Sequence, residues 1–177
     1  DSLDGGTGND VLIGGTGNDT YRVDSAADSV NEAAGEGLDT ILASVSWTLG
    51  DNVENLQLLG GFGLLAGTGN ALANGLTGNE AANVLMGLDG NDTINAQGGG
   101  DDIAGGNGAD TINASGGNDT ADGGAGNDSI VGGAGSDMLL GGQGDDSVGG
   151  QGGNDSLLGG DGHDSLSGGV GLDQIDG

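Results

Sequence analysis

Between Gly87 and the end of the chain an aliphatic side chain recurs at every ninth position. The series reads Ile94, Ile103, Ile112, Ala121, Ile130, Leu139, Val148, Leu157, Leu166 and Ile175, with Ala121 the only member that is not a branched aliphatic. The residue before each is mostly a small hydroxyl residue: Thr93, Thr111, Thr120, Ser129, Ser147, Ser156 and Ser165. A lone apolar residue between polar neighbours predicts a three-residue strand whose central side chain points inward and whose flanks point to water. Glycine at the density seen here is hostile to helix interiors, so the nine-residue unit reads as six residues of turn and three of strand.

Two further columns share this frame. Its sixth position is aspartate throughout: Asp92, Asp101, Asp110, Asp119, Asp128, Asp137, Asp146, Asp155, Asp164 and Asp173. Its fourth is glycine throughout: Gly90, Gly99, Gly108, Gly117, Gly126, Gly135, Gly144, Gly153, Gly162 and Gly171. Three residue types phased at one period without insertion or deletion argue against disorder and for a repeat architecture. Glycine at a fixed turn position suits positive φ or close approach of two backbones.

The frame also runs backwards. The nonads from Gly69 and Gly78 keep Leu76 and Leu85 but carry Asn74 and Asn83 in place of aspartate. A short block opens the chain, with Asp1, Asp10 and Asp19 nine apart and Leu3, Leu12 and Tyr21 two residues after each. Three regions follow: a short repeat block at 1–22, a β-rich insert outside the period at 23–68, and a main array of twelve nonapeptides at 69–177. In the insert, Thr40 to Trp47 alternates as one strand with Ile41, Ala43, Val45 and Trp47 on one face. Asn55 to Leu59 predicts a second strand, and the aromatics Trp47 and Phe62 suggest a small packed core belonging to the insert itself.

Charge sharpens the picture. The chain of 177 residues carries 28 acidic residues, one basic residue, Arg22, and a formal net charge of −27. A nucleic-acid surface or a polybasic membrane anchor needs clustered Lys and Arg, so both are excluded as partners. No apolar run is long enough to insert in a membrane. Arg22 reads as a surface ion pair. There is no cysteine and no proline among the 46 glycines, so neither disulfides nor a collagen helix holds this chain. A core built from one aliphatic residue per nonad needs another staple, and bound metal is one. With no signal peptide, no initiator Met and both ends inside the repeat pattern, the chain reads as a fragment of a longer protein.

If each nonad reverses the chain direction, two nonads make a coil of 18 residues and strands stack in parallel about 4.8 Å apart. The fold class predicted is all-β, a parallel β-roll. Asp92, Asp110, Asp128, Asp146 and Asp164 then stack on one side, and Asp101, Asp119, Asp137, Asp155 and Asp173 on the other. Like charges a few Å apart cost on the order of 4 kcal/mol per pair at an effective dielectric near 20. A hard dication between successive turns reverses the sign. Calcium, taking six to eight oxygens, suits two aspartates plus main-chain carbonyls better than magnesium, which prefers a rigid octahedron. Zinc is disfavoured with no cysteine and only His163.

The segments Gly5 to Ile13 (GGTGNDVLI), Gly123 to Val131 (GGAGNDSIV) and Gly159 to Ser167 (GGDGHDSLS) resemble the nonapeptide of RTX, repeats-in-toxin, proteins. The stretches YRVDSAAD, GLDTIL and VENLQLLG of the insert resemble segments found between such repeats. The resemblance implies a right-handed parallel β-roll, several bound Ca2+ ions, and an extracellular location reached by type I secretion from Gram-negative bacteria, with folding triggered by calcium outside the cell. It also implies ligands: carbonyls of the second and fourth positions and the Asp of one turn, with carbonyls of the first and third positions and the Asp of the next turn on that side. On this chain Gly124, Gly126 and Asp128 would share an ion with Gly141, Gln143 and Asp146. The same rule brings in Gly105, Gly106, Gly123, Gly132, Gly133, Gly142 and Gly159 beside the fourth-position glycines and the aspartates, Asp1, Asp10 and Asp19 included. The pattern is broken where Leu88, Gln97, Ser115 and Gln151 replace second-position glycine, and Ala96 and Ala114 replace first-position glycine. Strain is expected there.

The function expected is a calcium-binding structural module of a secreted protein, with no catalytic residue of its own. Alternatives are the non-catalytic C-terminal part of an RTX lipase, protease or alginate epimerase, or an adhesin, surface-layer or filament component that self-associates or contacts cell-surface polysaccharide. Ice binding needs a Thr row on one turn face, whereas Thr7 and Thr16 fall on opposite sides. His163, at a variable turn position, is given no chemical role.

Overall fold

The structure, a computed structural model, describes residues 1–61 and 63–177; Phe62, expected in a core, lies outside the described residues. Every named strand pairing is parallel, and no helix occurs among the described residues. The chain winds as a β-solenoid between two main sheets. The ten-stranded sheet runs from Ser2–Asp4 through Thr20–Val23, Thr40–Ala43, Asn55–Leu58, Gly75–Thr77 and Thr93–Asn95 to Ser165–Val170. The eight-stranded sheet runs from Trp47–Thr48 through Leu65–Thr68 and Asn83–Asp89 to Gln174–Asp176. Val11–Leu12 and Ser29–Val30 make a small third sheet.

In the repeat array each residue pairs with the one 18 positions on: Ile94 with Ile112, Ile112 with Ile130, Ile130 with Val148 in one sheet, and Ile103 with Ala121, Ala121 with Leu139 in the other. Two nonads per coil is therefore observed. The eighth-position side chains Ile94, Ile103, Ile112, Ile130 and Leu139 are fully buried, and the seventh-position Thr and Ser flanking them are exposed. The strands are longer than three residues. From Thr111–Gly116 through Ser165–Val170 each spans six, because the first three positions of the following turn also join the ladder. Glycine lets this part of the turn take positive φ and lie close to its neighbour coil.

The segment 23–68 was the part whose strands and packing the nonapeptide period could not phase. Its strands lie inside the same two sheets, and Val23, Ile41, Ala43, Leu49, Val53, Leu56, Leu58 and Leu65 belong to the same buried cluster as the repeat aliphatics. The expected separate core is thus one continuous core. Coil length changes while inward register is kept: Tyr21 pairs with Ile41, Ile41 with Leu56 and Leu56 with Leu76, giving steps of 20, 15 and 20 residues before Leu76 to Ile94 restores 18. The alternating run Thr40 to Trp47 is not one strand. It breaks after Ala43, and Trp47–Thr48 crosses to the other sheet, where Trp47 pairs with Gly67. A Cβ at Gly67 would sit 3.1 Å from methyl groups of both Leu56 and Leu85, so the neighbours fill the space a side chain would need. Arg22 makes the exposed ion pair expected of it, 3.8 Å from Asp4.

Second-position glycines such as Gly106, Gly124 and Gly142 have φ of 116°, 103° and 113°. Leu88, Gln97, Ser115 and Gln151 occupy the same place with φ of 83°, 74°, 75° and 71°. A side chain there costs roughly 1–2 kcal/mol of local strain. Replacing Gln97, Ser115 or Gln151 by glycine should therefore stabilise the roll, by about 0.5–1 kcal/mol each once the greater freedom of glycine in the unfolded chain is counted. Chemical denaturation in saturating calcium measures this. A loss of stability would mean that these side chains make contacts worth more than the strain.

Candidate metal centre

Each nonad ends its turn on an aspartate placed immediately before the strand. Its two carboxylate oxygens do different things. One, Oδ1, accepts the main-chain N–H of the aspartate one coil earlier. Asp92 donates to Asp110 at 2.7 Å, Asp110 to Asp128 at 2.8 Å, Asp128 to Asp146 at 2.8 Å and Asp146 to Asp164 at 3.0 Å. On the opposite side Asp101 donates to Asp119, Asp119 to Asp137, Asp137 to Asp155 and Asp155 to Asp173, at 2.8 to 3.0 Å. The other oxygen, Oδ2, is buried with no hydrogen-bond partner in Asp92, Asp101, Asp110, Asp119, Asp128, Asp137, Asp146 and Asp155. These eight residues are buried; Asp164 and Asp173, on the last coil, are half-buried.

A buried carboxylate with one oxygen bare is unfavourable, because desolvation is not repaid. Burial raises the carboxyls of Asp92, Asp101 and Asp128 to about 6, opposed by the main-chain hydrogen bond each accepts and reinforced by neighbouring aspartates of the same row. Asp110, Asp119 and Asp137 are raised for the same first reason, burial.

The bare oxygens do not stand alone. A Cβ built on Gly123 would press on the Asp128 carboxylate and lie 2.6 Å from the Gly141 carbonyl oxygen. One built on Gly141 would lie 2.5 Å from Asp146 Oδ2 and 2.6 Å from the Gly159 carbonyl. First-position glycine thus borders a space where a carboxylate oxygen of its own turn and a carbonyl of the next coil converge. Fourth-position glycines leave room for the preceding coil in the same way: a Cβ on Gly126 would overlap the Gly108 carbonyl. The donors are all oxygens, in two successive turns, with negative charge and no cationic side chain. That set fits a hard dication with many ligands, such as calcium.

The profile of the RTX calcium-binding nonapeptide repeat matches residues 1–30, 77–112, 113–148 and 149–177. The chain belongs to the RTX calcium-binding repeat family. No curated protein matches it.

Not every RTX-like turn here has the same chemistry. In the asparagine turns the position is sealed by the side chain itself. Asn74 Oδ1 accepts the N–H of Asn70 at 2.7 Å, and its Nδ2 donates to the carbonyls of Val53 and Glu54. Asn83 Oδ1 accepts the N–H of Asn79 at 2.7 Å, and its Nδ2 donates to Leu65 O and Asn79 Oδ1. Both amides are buried and fully used. They need no ion, yet each donates its main-chain N–H to the next rung, Asp92 or Asp101, at 2.7 Å. The alanines expected to disturb first positions, Ala96 and Ala114, are fully buried, and the Asp101–Asp119 rung beside them keeps its 2.8 Å bond.

The opening block carries the same rung. Asp1 N donates to Asp19 Oδ1, and Asp10 N to Asp28 Oδ1 at 3.0 Å. Rung residues that the nonapeptide frame did not select are Asp28, Asp39 and Glu54: Asp39 Oδ1 accepts from Asp19 N, and Glu54 Oε2 accepts from Asp39 N, both at 2.8 Å. A signal for Asp39 was present, since Gly35, Gly37, Asp39 and Ile41 hold the second, fourth, sixth and eighth positions of a nonad. Glu54 had none, because it stands in a coil of 15 residues. A second ladder, exposed, runs through the fifth positions, where Asn91, Asn118 and Asn127 side chains accept N–H groups of Ala109, Ser136 and Asp145. His163 joins it only through its main-chain N–H, to Asp145.

The raised carboxyls fix the sign of a pH effect. With calcium chelated, the folded roll holds protons that the unfolded chain, with ordinary aspartates, gives up. The protonated rows support folding fully below the usual aspartate range, and that support is lost as pH rises through about 6. Thermal unfolding in chelator should show a higher midpoint near pH 4.5 than at pH 7. A lower midpoint at acid pH would contradict the burial of these carboxylates.

Proposed function

We propose that the chain is a calcium-binding structural module of a larger secreted bacterial protein, one that folds and stiffens outside the cell when calcium fills the aspartate rows. The observation that carries this is the set of buried Oδ2 atoms without partners, one in each of the eight turns from Asp92 to Asp155, with carbonyls of the neighbouring coil beside them as at Gly123 and Gly141. Asp92 with Asp110, Asp110 with Asp128, and each further pair along both rows would hold an ion together with the glycine-rich main chain. For Asp128 and Asp146 the carbonyls are those of Gly124, Gly126, Gly141 and Gln143. Binding free energy is then folding free energy, because the site does not exist in the unfolded chain. Extracellular modules bind calcium at about 10⁻⁴–10⁻³ M, which couples folding to release into a calcium-rich medium. The module itself is read as non-catalytic: the described residues all lie in one repeat solenoid or the turns between its strands.

Far-UV circular dichroism during a calcium titration tests the coupling. The β signal should rise cooperatively with calcium and fall with chelator, and hydrogen exchange in chelator should stay slowest around Leu56, Leu76 and Leu85, next to the self-sealed asparagine turns. A β spectrum that chelation leaves unchanged over the whole chain would overturn the proposal.

Two substitutions separate charge from turn geometry. Asp128→Asn removes a charged ligand from two neighbouring ions and should lower stability in saturating calcium by about 3–5 kcal/mol, the scale of losing one partner of a buried charged set, while leaving stability in chelator unchanged or raised. Asn83→Ala strands the Asn79 N–H and should cost about 1–3 kcal/mol equally with and without calcium. Denaturation of both variants in the two conditions reads this out; a calcium-independent loss for Asp128→Asn would show that the aspartate acts through turn geometry alone.

A further inference from the structure

The geometry points to a three-carboxylate calcium site in which Glu32, a residue outside the nonapeptide motif, joins the successive sixth-position aspartates Asp19 and Asp39 where the first long coil leaves the repeat; it rests on the calcium reading of such pairs. One oxygen from each of the three residues lies within 4.8 Å of the other two. Asp19 and Asp39 are 2% and 1% exposed, and Asp19 Oδ2, Asp39 Oδ2 and Glu32 Oε2 are all buried without a partner. The remaining oxygens are engaged and hold the carboxylates in place. Asp19 Oδ1 accepts from the terminal ammonium of Asp1, Asp39 Oδ1 accepts from the main-chain N–H of Asp19, and Glu32 Oε1 accepts a hydrogen bond from the Tyr21 hydroxyl. The Glu32 main chain is pinned by Asn52 Nδ2 at 3.1 Å from its carbonyl oxygen.

The step from Tyr21 to Ile41 is 20 residues, against 18 in the repeats, and this longer coil carries Glu32 over the rung. A regular turn pair offers two carboxylates; this one offers three. A Cβ on Gly14 would overlap both the Tyr21 hydroxyl and Asp19 Oδ2, so the space above the cluster admits no side chain. No basic side chain balances it: the chain has one Lys or Arg, Arg22, which faces Asp4, and its one histidine, His163, lies far along the array. The terminal ammonium of Asp1, paired with Asp19 Oδ1, offsets one of the three carboxylates and leaves the cluster negative. Three carboxylate oxygens with no nitrogen or sulfur donor select a hard cation, and calcium over magnesium because the ligands come from three separate strands and loops without an octahedral frame. With one more charged ligand than the repeat sites, this site should fill first as calcium rises.

Tyr21 makes the site testable on its own, since it is the chain's one tyrosine and it touches Glu32. Terbium(III) replaces calcium at oxygen sites, and its emission is sensitised by an aromatic ring close to the ion. The parent for the test is Trp47→Phe, which removes the one tryptophan; its indole Nε1 has no hydrogen-bond partner to lose. Terbium added to this protein should give tyrosine-sensitised emission that calcium displaces. Glu32→Gln in the same background should weaken that phase at least about tenfold, and metal analysis of the calcium-loaded protein should fall by one ion. Absence of sensitised emission from the parent, or emission unchanged by Glu32→Gln, would overturn the site. Failure of the repeat-array proposal looks different: there the emission persists while the total falls to a single ion.

Discussion

Each coil of the aspartate array is tied to the next by a main-chain N–H donated to an aspartate Oδ1, and the same geometry leaves the partner oxygen, Oδ2, in the interior of the turn. The ladder cannot be made without burying charge. With a core of one aliphatic side chain per nonad, there is little hydrophobic stabilisation to offset rows of half-satisfied carboxylates. The raised carboxyls of Asp92, Asp101 and Asp128 express that conflict. A cation bound to both the bare Oδ2 and the carbonyls beside it would resolve the conflict at each aspartate turn, which gives a physical reason for aspartate and glycine in fixed phase.

The asparagine turns show the other solution. At Asn74 and Asn83 the side-chain amide supplies its own N–H donors to nearby carbonyls and closes the turn without a metal. These coils carry Leu76 and Leu85 into the same core, with Leu76 paired to Leu56 of the preceding coil. Two self-sealed turns thus stand at the head of a long array whose aspartate turns leave a buried oxygen without a partner.

Much of this was legible in the sequence because the repeat is strict. The columns at the fourth, sixth and eighth positions fixed the 18-residue register, the two aspartate rows and the inward residues, and the substitutions at Leu88, Gln97, Ser115 and Gln151 marked the positions of positive φ. The rest was hidden where period fails. Residues 23–68 lengthen and shorten coils without changing which residues face inward, and no fixed spacing reveals that. The alternation of Thr40 to Trp47 satisfied a strand pattern although the chain turns a corner inside it. Glu32 and Glu54 came from loops and short coils, where proximity to the rung is set by chain path alone. The self-sealing of Asn74 and Asn83 needed side-chain partners 18 to 21 residues away to be seen.

The central claim is that the paired aspartates of successive coils hold calcium between them. Five aspartates in each row after Gly87 leave four gaps per row, eight in all. A crystal structure of the calcium-soaked protein, with anomalous scattering recorded to locate the metal, tests this directly. The account predicts anomalous peaks in the gaps of both rows, each bounded by two Oδ2 atoms and glycine-turn carbonyls, eight in the array after Gly87. Two or fewer peaks there, or peaks lying only on the exposed carboxylates, would contradict it.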